Sequence, residues 1–171
     1  MPYRVRLLPF FFEKLRKYTG TASDESVIGY IDVAARKVEA LHNAHSDACY
    51  YYLFPNENGA PPPSSYADNK TTKDTLAAWY SIVQSAVHSP QSPPDAAKAR
   101  TLLVPVCQRL RDAYGNDLRL FNKKPVDSVG RQKVCDISLS LYRDVESLPK
   151  NDAGLVLRYL LSDQTSAKEV R

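Results

Sequence analysis

The stretch SVIGYIDVAARKVEALHNAHSDACYYYLF, residues 26–54, determines the fold, because its apolar residues recur at alternating intervals of four and three. This spacing places them on one side of an α-helix and predicts a single long amphipathic helix capped by Ser23. The stripe consists of Val27, Ile31, Ala34, Val38, Leu41, His45, Ala48 and Tyr52. Other helices are needed to cover so broad an apolar side.

The length and the composition of the sequence favour one helical domain. A chain of 171 residues is long enough for a core of its own. Its six glycines are too few for Gly-rich phosphate loops or for an all-β fold with many tight turns. We therefore predict a single all-α domain over residues 1–171, an antiparallel bundle of five to six helices around the long second helix.

Further helices are expected at 72–88, 93–114, 128–148 and 153–161, since each range repeats apolar residues at helical spacing. Ser92 is the expected N-cap of the helix at 93–114, with Pro93 in its first turn. Three of the helices have predicted core stripes: Leu76, Tyr80, Val83 and Val87; Ala99, Leu102, Val106, Leu110 and Ala113; and Val134, Ile137, Leu141, Val145 and Leu148.

The segments between the helices are predicted from composition. Residues 55–71 form a Pro-rich loop, residues 89–94 a Ser-Pro connector, and residues 162–171 a frayed tail. Ser89 and Ser92 each precede a proline and are candidate sites of proline-directed phosphorylation. Helix capping is the simpler interpretation of the same residues.

The amino-terminal segment, residues 1–20, is basic and amphipathic. Its net charge of +4 equals that of the whole chain, so residues 21–171 are neutral overall. The segment is interpreted as a terminal helix packed on the bundle, as a helix at a membrane surface, or as a targeting presequence. Its candidate nucleic-acid or anionic-membrane contacts are Arg4, Arg6, Lys14, Arg16 and Lys17.

The three cysteines, Cys49, Cys107 and Cys135, fall in different predicted helices without CxxC spacing. They are interpreted as reduced, buried side chains of a cytoplasmic protein, and a bridge between Cys107 and Cys135 is the alternative. No stretch approaches the ~20 apolar residues that cross a bilayer.

Few residues suggest chemistry. His42, His45 and Cys49 share one helical side and could hold a metal ion, although the same positions also complete a buried stripe. No recognisable nucleophile motif, paired general acid and base, or phosphate loop is present in the sequence. We therefore expect no cofactor, no metal and no enzymatic activity, and nothing indicates a small-molecule ligand.

The aromatic run at the end of the long helix is the best candidate for a contact surface. Tyr50, Tyr51, Tyr52 and Phe54 make this end apolar on every side, so either the chain's own following loop or another protein must cover it. The expected function is that of a non-catalytic adaptor or scaffold that binds another protein. Two alternatives are binding of a membrane surface or nucleic acid through residues 1–20, and an enzyme whose site is assembled from distant residues.

Overall fold

The computed structural model describes residues 16–44, 47–54, 60, 69–123 and 125–162, and all regular structure in these ranges is helical. A helical turn at residues 16–19 precedes the helices that we number here. They are α1 (Asp24–Asn43), α2 (Ala48–Leu53), α3 (Asn69–His88), α4 (Ala96–Tyr114), α5 (Leu120–Lys123), α6 (Ser128–Glu146) and α7 (Lys150–Leu161), with the 3-10 helix Gly115–Arg119 between α4 and α5. The predicted all-α fold is confirmed.

Helix α1 occupies the centre of the described structure and packs against α2, α3, α6 and α7. The predicted stripe supplies its buried side, where Val27, Ile31 and Val38 are almost fully enclosed. The side chain of Ser23 accepts a hydrogen bond from the backbone N–H of Ser26, as expected of an N-cap. The sequence pattern therefore correctly predicted the central helix and its start.

The predicted continuation of this helix to residue 54 is wrong. Helix α1 ends at Asn43, and Ala48–Leu53 form the separate helix α2. Asp47, which directly precedes α2, accepts hydrogen bonds from Ser128 and Arg131 of α6. These contacts attach the start of α2 to α6, so that the aromatic residues of α2 pack on α6 rather than extend along the axis of α1.

The expected cap of α4 is also wrong. The N-cap is Asp95, whose carboxylate accepts hydrogen bonds from the N–H groups of Ala97 and Lys98. A residue that precedes proline avoids the helical conformation, so Pro93, which precedes Pro94, cannot begin the helix as a cap at Ser92 would require. Asp95 directly follows the two prolines and has a side chain that can cap.

Two adjoining clusters of buried side chains form the core. The first draws on α1, α3, α4, α6 and α7, and the second on α1, α2 and α6. Tyr142 of α6 packs against both clusters. Burial, together with the proximity of Tyr30, raises the pKa of Tyr142 to about 12, so its hydroxyl stays protonated at neutral pH.

The oxidation state and the burial of the cysteines differ from the prediction. Cys49 of α2 and Cys135 of α6 form a buried disulfide, whereas Cys107 is free and exposed. The expectation of three reduced, buried thiols is therefore wrong, as is the alternative pairing of Cys107 with Cys135. The second core cluster brings α2 against α6, and this packing aligns two residues that lie 86 positions apart in sequence.

Candidate interaction surface

Helix α3 has one buried side, formed by Trp79, Ile82 and Ala86, which packs chiefly against α1. The phenol of Tyr30 in α1 lies beside the Trp79 side chain. Burial raises the pKa of Tyr30, and the neighbouring indole only partly offsets the effect. The aromatic pair therefore fixes the middle of α3 on the central helix.

Serine hydroxyls fix the carboxyl-terminal half of α3. Ser85 Oγ lies 2.9 Å from Ser26 Oγ and accepts a hydrogen bond from the backbone N–H of Ser23 at 3.1 Å. These contacts turn Ser85 towards the start of α1. The rotation of α3 about its axis therefore depends on polar contacts as well as on apolar ones.

A neighbouring side of α3, roughly a quarter-turn around the helix from this buried side, carries exposed apolar residues. The exposed fractions of Leu76, Tyr80 and Val87 are 54%, 67% and 57%, and Val83 lies half-buried at the edge. The prediction that these four residues form a core stripe is therefore wrong for three of them. Trp79, Ile82 and Ala86 fill the space facing α1 instead. We call Leu76, Tyr80, Val83 and Val87 the α3 face.

The α3 face also lacks charge. Residues 75–94 contain no Asp, Glu, Lys or Arg, which is unusual for a segment with so much exposed helix. Exposed apolar side chains spaced along one helix, without charged neighbours in the same segment, are typical of the centre of a protein contact surface. Scattered single apolar residues on a surface do not have this significance.

The predicted contact surface at Tyr50, Tyr51, Tyr52 and Phe54 requires correction. Tyr50 and Tyr51 are buried in the second core cluster, and Tyr52 and Phe54 are half-buried. Phe54 packs against the rings of Tyr50 and Phe121. The chain itself therefore covers much of this aromatic run, chiefly through α6 rather than through the following loop that the sequence suggested.

An ion pair stabilises the position of the aromatic run. Arg131 donates a hydrogen bond to Asp47 at 2.6 Å and lies over the rings of Tyr50 and Tyr51. Burial raises the pKa of Asp47, but hydrogen bonds from Ser128 and Arg131, and the charge of Arg131, more than offset this effect, so the pKa lies below its ordinary value. The carboxyl group of Asp47 is therefore ionised at neutral pH.

The predicted metal site lacks one of its three ligands, because the sulfur of Cys49 belongs to the disulfide. His42 Nε2 lies 3.0 Å from Asp136 Oδ1, and His45 falls outside the described residues. Within the described part of the chain, no group of three or more His, Cys, Asp or Glu side chains is placed to bind a metal ion.

His42 and Asp136 also resemble part of a catalytic pair, but the geometry does not favour that role. The second ring nitrogen of His42, Nδ1, is buried and has no hydrogen-bond partner among the described residues. It therefore faces the interior rather than a surface that a substrate could reach. Whether the chain has an enzymatic activity built from other residues stays untested.

The remaining predicted sites stay predictions. Arg4, Arg6 and Lys14 lie outside the described residues, while Arg16 and Lys17 are exposed. Ser89 and Ser92 are exposed in the connector between α3 and α4. Arg158 donates to the backbone oxygen of Ser92, so this connector is attached to α7 through its main chain and leaves both hydroxyl groups accessible.

Sequence reasoning missed the role of Arg158. Its side chain is buried and donates hydrogen bonds to Asp24 Oδ1 at 2.8 Å and to the backbone oxygens of Gly20 and Ser92. One guanidinium therefore joins α7, the start of α1 and the connector before α4. No periodicity rule identifies such a residue, since arginine at an apolar helix position is ordinarily assigned to the surface.

Comparisons with known proteins identify no relative of this chain. Protein-family models, curated proteins and solved structures all give no significant match. Among the described helices, none combines the length and apolar character required to cross a bilayer.

Proposed function

We propose that this chain is a non-catalytic protein-interaction domain, of the adaptor or scaffold type, and that it binds other proteins through the α3 face. The observation that carries the proposal is the exposure of Leu76, Tyr80 and Val87 along a helix segment without charge. Exposing these apolar side chains to water costs roughly 25 cal/mol of free energy per Å² of apolar surface. A protein partner that covers them recovers this free energy.

The shape of the surface favours a helical partner. Leu76, Tyr80, Val83 and Val87 follow one another at intervals of four, three and four along α3. A helix with matching apolar spacing can pack along such a row at an interaxial distance of about 8–10 Å. The proposed binding surface therefore replaces the aromatic run at residues 50–54, much of which is buried.

Site-specific photocrosslinking tests the proposal. The photoreactive residue p-benzoylphenylalanine is introduced at Tyr80 and, as a matched control, at Val104 of α4, since these residues are similarly exposed at 67% and 65%. We expect discrete covalent adducts with protein from illuminated native cells at position 80 and not at position 104. Adducts that are absent from position 80, or identical at both positions, would contradict the proposal.

The compartment is a separate part of the proposal. The cytoplasm was predicted from reduced cysteines, whereas the Cys49–Cys135 disulfide favours a compartment that is not reducing. Acid quenching of intact cells, followed by alkylation of the thiols in denaturant and mass spectrometry, decides between them, because the denaturant exposes the buried Cys49 and Cys135. Alkylation of Cys107 alone would support a non-reducing compartment, and alkylation of all three cysteines would support the cytoplasm.

A further inference from the structure

We propose that the occupant of the α3 face is a second copy of this chain, packed antiparallel along the first. This inference rests on the proposed function, because it requires the α3 face to be a protein contact surface. It specifies that surface further by naming the partner and the register of the contact.

The spacing of the α3 face matches a short coiled-coil seam. Intervals of four, three and four place Leu76 and Val83 at d positions of a heptad, and Tyr80 and Val87 at a positions. The seam covers residues 76–87, or about 16 Å of helix. In an antiparallel pair of helices, each a residue packs against a d residue of the other helix.

Applied to two copies of α3, this rule gives layers of complementary size. Leu76 of one copy faces Val87 of the other, and Tyr80 of one copy faces Val83 of the other. Every layer thus pairs a larger side chain with a smaller β-branched one, which allows the layers to interdigitate. A parallel pair would instead oppose the two Tyr80 rings and leave pairs of valines in neighbouring layers.

The absence of charge is the second argument for a second copy. A two-fold symmetric contact brings the same surface of both copies together, so a charged residue near the axis approaches its own copy and repels it. Residues 75–94 contain no Asp, Glu, Lys or Arg. A different partner could supply charges of opposite sign across such a surface, whereas a second copy could not.

The small size of the seam indicates a weak contact. A stable interface of standard size buries about 800 Å² on each partner, and four layers of one helix pair bury less. We therefore expect a reversible dimer with a dissociation constant in roughly the micromolar range or above. The full chain should change from monomer to dimer as its concentration passes through this range in sedimentation equilibrium.

Charge-swap variants of the full chain test the register. Leu76→Lys and Val87→Glu should each weaken self-association at least tenfold, because the introduced charge would face an apolar side chain. An equimolar mixture should restore a dimer, since the antiparallel register places the introduced lysine beside the introduced glutamate. Val104→Lys, at a similarly exposed apolar position outside the face, should leave the dimer unchanged.

Circular dichroism and thermal unfolding verify that the exposed substitutions leave the fold intact. A full chain that stays monomeric at all concentrations, or a dimer that Leu76→Lys does not weaken, would overturn the proposal. Dimerisation only after deletion of residues 1–15 would also overturn it and would identify that segment as the occupant. Photocrosslinking of Tyr80 to a different protein alone would overturn this inference but preserve the proposed function, whereas no crosslink would remove both.

Discussion

Arg158 and Gly154 together determine how closely α7 approaches the start of α1. They lie four residues apart and therefore on the same side of α7. Arg158 donates a hydrogen bond to Asp24. A Cβ atom at position 154 would clash with the Asp24 side chain. Only glycine leaves room there for the short hydrogen bond of the buried guanidinium.

Substitution Gly154→Ala should therefore destabilise the protein by about 1–3 kcal/mol through overpacking. The clash involves Asp24 Cβ itself rather than the end of a flexible side chain, so a rotamer change cannot relieve it. Gly29→Ala is the matched control, because a Cβ at this helical position meets no atom within 4 Å. We expect that control to stabilise α1 by about 0.5–1 kcal/mol.

Urea unfolding of both glycine variants measures these changes in free energy. Opposite signs for the two alanine substitutions would support the close approach of α7 to Asp24. Equal stabilisation of the protein by both substitutions would show that α7 does not approach α1 in this way.

At the scale of helices, the ion pair between Asp47 and Arg131 joins α2 to α6. Both side chains are about three quarters enclosed, with Arg131 resting against two tyrosine rings. Hydrogen bonds from Ser128 and Arg131 to the carboxylate outweigh its desolvation, so the folded protein holds the pKa of Asp47 below its ordinary value of 3.8. The pair therefore stabilises the folded state wherever the carboxylate is ionised.

Substitution Asp47→Asn should lower the free energy of unfolding at neutral pH by about 1–2 kcal/mol. Since the folded pKa is depressed, the stabilisation by Asp47 is complete above the unfolded pKa of 3.8 and is lost as pH falls through the folded value. The difference between wild type and variant should therefore shrink below about pH 4.

The control for this measurement is Asp32→Asn. Asp32 pairs with Arg36 on the exposed side of α1, and such a pair contributes about 0.3–0.5 kcal/mol. Urea unfolding across the acid range compares the two variants. A destabilisation by Asp47→Asn that does not change with pH, or one no larger than that of Asp32→Asn, would contradict the proposed role of the carboxylate.

The helices also show which features of the fold can be predicted from sequence. The stripe of α1 and its serine cap depend on local spacing, and both are confirmed. The rotation of α3 depends on Ser85 and Trp79 meeting residues of α1 that lie more than 45 positions away in sequence, which no local pattern contains. Sequence reasoning therefore predicted helix α3 but assigned its exposed apolar residues to the core.

The same limit applies to the candidate surface. For Tyr50 and Tyr51 the sequence predicts cover by the following loop or by a partner, because it does not reveal that α6 covers them. Leu76, Tyr80 and Val87 looked buried because apolar residues at helical spacing ordinarily face a core. The length of the uncharged run at residues 75–94 is the signal in the sequence that distinguishes α3 from the other long helices.

For the whole molecule, the Cys49–Cys135 disulfide is the covalent link between α2 and α6. Its two residues are separated by 86 positions, and the intervening chain includes α3 and α4. Closing so long a loop restricts the unfolded chain by an amount that corresponds to about 4–5 kcal/mol of folding free energy. The bond therefore stabilises the second core cluster independently of its apolar packing.

The double substitution Cys49→Ala with Cys135→Ala should lower the free energy of unfolding by about 4 kcal/mol, and reduction of the wild type should have a similar effect. Cys107→Ser is the control, because this thiol is free and exposed. Urea unfolding with and without reductant measures all three proteins. If the double variant equals oxidised wild type in stability, or if reductant destabilises the double variant as much as the wild type, the disulfide does not stabilise the fold.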